Sequence, residues 1–297
     1  MTVAPPRPAS KAAAKAHRGE MVDVGGRRLR IVRAGQASGR PTIILEHGAF
    51  GCASDWAVVQ AKLAAKGLAS IAYDRAGLGH SPPGPRPRDG AAIVADLAAL
   101  LKALDEPGPF VLVGHSMGGL MVRLYALTHT AQILGVVLVD AVTPDVITHA
   151  LGSKGVSAFS RLLDLVSHGA RFGMMVPVGA VAGDRIGLPT DASAEKRRIH
   201  GSASHAHWAA EEVRQWKATS DQARARDFPW PMPIAVITAG AENTVTALKE
   251  IQSAPALASQ NGYIAHVAGA GHANLLGPRF ADSVILGVEH VLATTRR

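Results

Sequence analysis

Only one cysteine, Cys52, occurs in the 297 residues of this chain. That excludes a disulfide framework and a thiolate metal cluster, and it fits a reducing compartment. No apolar run reaches the roughly 18 residues that a membrane-spanning helix requires. Residues 1–19 lack the apolar core of a secretory signal. Aromatic residues make up 4% of the chain, and none interleaves with the basic residues near its start, as a nucleic-acid surface would need. Acidic residues are outnumbered 23 to 31, for a net charge of +8. Eight of those cations and only two acids lie within residues 1–33, so the excess belongs to the start of the chain and not to its body. The expectation is a cytoplasmic globular protein with no membrane span, no nucleic-acid partner and no metal.

What is present is a large apolar fraction, 47%, against 18% charged residues, enough to build a sizeable core. Residues 1–19, rich in Pro, Ala and Lys, read as a disordered leader. A hairpin follows over 21–24 and 29–32, turned by Gly25-Gly26. Short apolar strands are expected over 41–45, 68–73, 110–113, 133–140, 233–238 and 262–267. Helices are expected over 56–66 (with Asp55 as its cap), 89–104, from Met117 through Tyr125, near 244–258 and over 278–292. Apolar runs alternating with helical patterns imply an α/β chain: a mostly parallel eight-stranded sheet with helices on both faces. The alternation stops at about residue 142, and 142–231 reads as helical and irregular. The expected division is a core of 20–141 and 232–297, interrupted by a helical cap over 142–231.

One stretch organises the chemistry. Residues 110–119 read F-V-L-V-G-H-S-M-G-G, an apolar strand running into a helix across a sharp turn. Ser116 at that turn is forced into strained backbone geometry, and Gly114 and Gly118 supply the room. The hydroxyl is thereby lifted out of the sheet, with a helix N-terminus behind it. A serine nucleophile needs a base, and His272, in the Gly-rich loop 269–274 after the last strand, is the candidate. Loops at the carboxyl ends of parallel strands converge on one crevice, so His272 can meet Ser116 from far away in sequence. An oxyanion hole needs two backbone N–H groups; Met117, after the nucleophile, and Ala49, in His47-Gly48-Ala49-Phe50, are the candidates.

Two carboxylates could orient the histidine. Asp140 ends the strand after the nucleophile helix, and Glu242 lies in the loop after the strand over 233–238. Asn243 in that same loop carries no charge to stabilise an imidazolium.

Together, His47-Gly48-Ala49, the Asp74-to-Ser81 loop, Gly114-His-Ser-Met-Gly118, Val139-Asp140 and Gly271-His272 resemble the α/β-hydrolase fold superfamily, which includes esterases, haloalkane dehalogenases and epoxide hydrolases. The resemblance implies a catalytic triad beneath a cap domain. The family commonly places its acid in a G-x-x-D pattern, which here reads Gly240-Ala-Glu-Asn243. Some relatives carry the acid where Asp140 falls, so Asp140 is the first choice and Glu242 the alternative. Dehalogenases and epoxide hydrolases of the family use an aspartate nucleophile; Ser116 implies an acyl-enzyme instead.

The expected activity is a serine esterase acting on a small to medium carboxylic ester, with no cofactor. Peptidase, thioesterase, lactonase or C–C hydrolase chemistry uses the same residues, and a non-catalytic receptor on this fold is the rival outside catalysis. Oligomeric state is not specified. His205 and His207 are expected on the cap surface, since one residue of separation on a helix points two side chains apart. Lys196-Arg197-Arg198 reads as a solvated helix face. Phe159, Phe172, Met174, Met175, Trp208 and Trp216 are expected in the core of the cap or on an apolar pocket.

Overall fold

The computed structural model describes residues 18–36, 39–106, 108–170, 175–240 and 247–295. Eight strands form one sheet: β1 (Glu20–Asp23), β2 (Arg28–Ala34), β3 (Thr42–Glu46), β4 (Ser70–Tyr73), β5 (Phe110–His115), β6 (Ile133–Val139), β7 (Ile234–Ala239) and β8 (Gly262–Val267). Their order is β1-β2-β4-β3-β5-β6-β7-β8. β2 runs antiparallel to β1 and β4, and every other pairing is parallel. β1 and β2 join through Gly25 and Gly26, both at positive φ, whose N–H groups bond the Asp23 carboxylate.

Eleven α-helices lie among the described residues. Those outside 142–231 are α1 (Ala57–Ala65), α2 (Gly90–Ala103), α3 (Gly118–Thr128), α10 (Ala247–Leu257) and α11 (Asp282–Thr294). Val59 and Leu63 of α1 pack with Val284 and Val288 of α11 in one buried cluster. Leu97 of α2, Leu120 of α3 and Ala256 of α10 belong to another. The two clusters take alternate residues of the same strands, Val111 and Val113 in the first and Phe110 and Leu112 in the second. Period-two alternation therefore feeds both faces, and the central strands are apolar throughout because neither face meets water.

The expected helix over 56–66 differs at its start. Residues Ala53–Trp56 form a 3₁₀ turn and α1 begins at Ala57, so Asp55 is not its cap. The Asp55 carboxylate is instead 2.5 Å from Lys196 Nζ.

Between β6 and β7 the chain runs through α4 (Pro144–Thr148), α5 (Ala150–Ala170), α6 (Met175–Ala182), α7 (Thr190–His200), α8 (Ala203–Arg214) and α9 (Trp216–Arg224). Buried ion pairs tie α7 and α8 to the strand ends. Glu195 takes Arg30 at 2.6 Å and the Ser54 hydroxyl at 2.6 Å, and Glu212 takes Arg75 at 2.7 Å. Of the expected leader, residues 1–17 lie outside the described residues, while the Arg18 carbonyl accepts from Arg30 Nε at 2.8 Å. No helix among the described residues is long and apolar enough to cross a membrane.

Candidate active site

The chain enters β3, steps to β4 on one side, then returns to β5 on the other, so the strand order reverses between β4 and β5 around β3. Crevices at the carboxyl ends of parallel strands open at such points. The loop after β3 carries Ala49, and the turn after β5 carries Ser116.

Ser116 adopts φ 54, a left-handed conformation unusual for a residue with a side chain. Its N–H donates to the Val139 carbonyl at 3.1 Å, and its own carbonyl accepts from Gly119 at 3.0 Å and Val142 at 2.8 Å. Three bonds over-determine the turn, which is how such strain persists. The glycines are needed for space: a Cβ on Gly118 would lie 2.5 Å from the Glu46 carbonyl oxygen, and one on Gly48 would lie 2.9 Å from Ser116 Cβ.

His115 pairs with Val139 in the β5/β6 register, so the two strands end level and the residues after them, Ser116 and Asp140, are neighbours. Asp140 also sits at positive φ, 42, with its N–H bonded to Ile237 O at 2.6 Å. Its Oδ2 accepts from His272 Nδ1 at 2.6 Å, and its Oδ1 accepts from the Ala239 N–H at 3.3 Å. Burial alone would raise the Asp140 pKa, but the hydrogen bond and charge of His272 outweigh it and hold the carboxyl below its ordinary value. His115 Nε2 donates to the His272 carbonyl at 2.9 Å, with the two rings 4.6 Å apart. Burial, and then the neighbouring His272, bring the His115 pKa to about 3, so it is neutral.

The loop after β3 rests on Arg75, which is fully buried. Arg75 reaches the carbonyls of His47 at 2.6 Å and Gly48 at 3.0 Å while bonding Glu46 at 2.5 Å and both Glu212 oxygens. Ala49, Ser116 and His272 line one cavity of about 420 Å³ with His115, Asp55 and Lys196. Met117 is the N-cap of α3 and is fully buried. The Ala49 and Met117 N–H groups donate to no backbone or side-chain acceptor among the described residues. Glu242 and Asn243 lie outside the described residues.

The family model for the alpha/beta hydrolase fold matches residues 41–277. This chain is a member of the α/β-hydrolase family. It is 33% identical over 153 residues to the non-heme chloroperoxidase of Streptomyces lividans, covering 50% of this chain and 55% of that one. It is 36% identical over 120 residues to epoxide hydrolase A of Mycobacterium tuberculosis, covering 39% and 36%. The chain spans between 13% and 55% of the length of the curated relatives it matches. Among solved structures, a thermophilic esterase from Thermogutta terrifontis superposes with TM-score 0.66 at 18% identity, covering 93% of this chain and 99% of that one. A Vigna radiata epoxide hydrolase variant gives 0.68 at 14%, covering 93% and 98%. At these identities the structural likeness concerns the fold.

Within this α/β-hydrolase, several polar residues of the site region differ from expectation. Lys196 is not on a solvated face: it is 6% exposed, paired with Asp55, and on the cavity wall. His205 is buried, not superficial; it accepts from the Gly79 N–H at 3.0 Å and donates to the Phe50 carbonyl at 3.3 Å. No group of three or more His, Cys, Asp or Glu among the described residues is placed to hold a metal. Phe159 and Trp216 line the cavity, whereas Trp208 packs against Gly77. Phe172 and Met174 lie outside the described residues. The signal for Lys196 was its spacing. Glu195, Lys196 and Ile199 are all buried on α7, so the apolar stripe of that helix continues through two charges.

Proposed function

We propose that this α/β-hydrolase is a serine hydrolase cleaving small to medium carboxylic esters through an acyl-enzyme. The observation that carries the reading is the 2.6 Å hydrogen bond from His272 Nδ1 to Asp140 beside a left-handed Ser116 on a shared cavity. With Nδ1–H committed to Asp140, the imidazole presents Nε2 as its basic atom.

In the first half-reaction Ser116 Oγ attacks the ester carbonyl carbon and His272 Nε2 takes the hydroxyl proton. The tetrahedral oxyanion accepts hydrogen bonds from the Ala49 and Met117 N–H groups, where the α3 N-terminus also favours negative charge. The carbon–oxygen bond to the alcohol then breaks, and His272 returns the proton to the departing oxygen. In the second half, water attacks the acyl carbon, gives a proton to His272, and releases the acid as Ser116 regains that proton. Asp140 stays ionised throughout and stabilises the imidazolium; its depressed pKa suits that role. Each step uses side chains, the two backbone N–H groups and water. The helices over 142–231 act as the cap, since Phe159, Ile186, Lys196, His200 and Trp216 from that stretch wall the cavity.

Labelling with a fluorophosphonate probe, followed by peptide mass spectrometry, tests the reading. A stoichiometric adduct on Ser116, with turnover of p-nitrophenyl acetate, is expected. No adduct and no turnover would instead fit a non-catalytic receptor.

A further inference from the structure

A second cavity adjoins the one that holds Ser116. Phe50, Phe159, Lys196, His200 and Ala273 border both, and the second has a volume of about 310 Å³. That second chamber is walled by Leu162, Leu163 and Val166 of α5, by Gly179 of α6, and by Gly183 and the exposed Arg185 just after it. Ser116 and His272 line only the first chamber.

Phe50 stands where the two meet. It directly follows Ala49 and holds φ 57, a conformation that persists in a bulky residue only where its neighbours fix it. Here they do. Its ring lies edge-on to His200 at 4.6 Å and to His205 at 4.7 Å, and its carbonyl accepts from His205 Nε2. The other His205 nitrogen is taken up by Gly79, so both ring nitrogens are used and the ring is fixed. Lys196, the one cation common to both walls with its charge buried, is neutralised by Asp55 and does not repel an apolar group.

We propose that the ester hydrolysed here carries one unbranched apolar arm that passes Phe50 into the second chamber, making this a medium-chain ester hydrolase. This rests on the serine hydrolase reading above. At about 30 Å³ for each water-sized group, the chamber takes on the order of ten heavy atoms of the arm. Each methylene that enters an apolar site is worth up to about fourfold in binding. A short ester leaves the chamber empty; an eight-carbon arm fills most of it.

The arm is either the acyl chain or the alcohol chain, and two substrate series separate them. The first is p-nitrophenyl acylates from acetate to dodecanoate. The second is acetate esters of linear alcohols from ethanol to dodecanol. Active sites are counted by fluorophosphonate titration, so kcat/KM refers to competent enzyme. In one series kcat/KM is expected to rise at least a hundredfold from two to eight carbons. Val166→Trp, which fills the second chamber away from Ser116, is expected to lower the eight-to-two-carbon ratio at least tenfold. Leu162→Trp, at the half-exposed rim, is the second variant if Val166→Trp does not fold. Flat profiles in both series, or a ratio unchanged in both variants, would overturn the medium-chain proposal while the Ser116 adduct left the hydrolase reading standing. Absence of adduct and of acetate turnover in the unmodified protein would remove both together.

Discussion

His272 Nδ1 and Asp140 Oδ2 lie 2.6 Å apart although 132 positions separate them in the chain. The contact is built by register. β5 and β6 end level, the tight turn at Asp140 swings its carboxylate under the β7 end, and the loop after β8 brings the imidazole across. The Ala239 N–H on the second carboxylate oxygen fixes the acid from the other side.

Removing that carboxylate while keeping its shape tests the role. Asp140→Asn is expected to lower kcat by on the order of 10⁴, because the amide favours the wrong imidazole tautomer and offers no countercharge. Glu242→Gln is expected to leave kcat within error. Steady-state kinetics on p-nitrophenyl acetate decide between the two carboxylates; the reverse pattern would move the acid to Glu242.

Lys196 and Asp55 form an ion pair whose side chains are 8% and 7% exposed. Lys196→Met strands the Asp55 charge, so a loss of about 3–5 kcal/mol in unfolding free energy is expected. Adding Asp55→Asn should restore a good part of it. Urea midpoints across the double-mutant cycle measure the coupling, and additive single effects would show that the pair is not coupled.

Arg75 joins two carboxylates to the carbonyls of His47 and Gly48. Lysine cannot reproduce that planar fork, so Arg75→Lys is expected to cost stability by roughly 2–4 kcal/mol. It should also lower kcat on p-nitrophenyl acetate, since the loop bearing Ala49 loses its support. Unchanged stability and unchanged kcat together would contradict that account of the loop.

Acid sensitivity follows from the buried histidines. Burial is the largest cause in both His115 and His205, and each has a pKa of about 3. Unfolded, each titrates near 6.5. Between those values the unfolded chain binds protons that the folded one refuses, so stability rises with pH there and falls on acidification from 6.5. At pH 5 each histidine costs about 2 kcal/mol relative to pH 7.5. Glu195 works in a lower window: its pKa is about 2, so its contribution is intact above the ordinary glutamate value and is lost only below it. Unfolding free energy should therefore drop by several kcal/mol from pH 7.5 to pH 5, and His205→Gln should shrink the drop by about 2 kcal/mol. A drop of the same size in that variant would rule out His205 as a source.

The sheet was legible because six short apolar runs have no other way to bury themselves and Gly25-Gly26 marks the hairpin before them. The elbow at Ser116 and the loop at His272 were legible because tight turns demand particular residues. The charged residues behind the site were not. Lys196 read as a solvated face and Asp55 as a helix cap, and Glu195 and Glu212 gave no signal, because their partners are distant in sequence and only tertiary packing pairs Lys196 with Asp55, Glu195 with Arg30 and Glu212 with Arg75. Phe50 was equally hidden, since its positive φ comes from His200 and His205 more than from any local signal.

The most direct measurement is rapid-quench mass spectrometry of the protein mixed with p-nitrophenyl acetate. A burst of one equivalent of p-nitrophenol, with one acetyl group on the peptide that contains Ser116, is predicted. Ser116→Ala should abolish both burst and turnover. Acetyl found only elsewhere, or turnover that survives Ser116→Ala, would contradict the account.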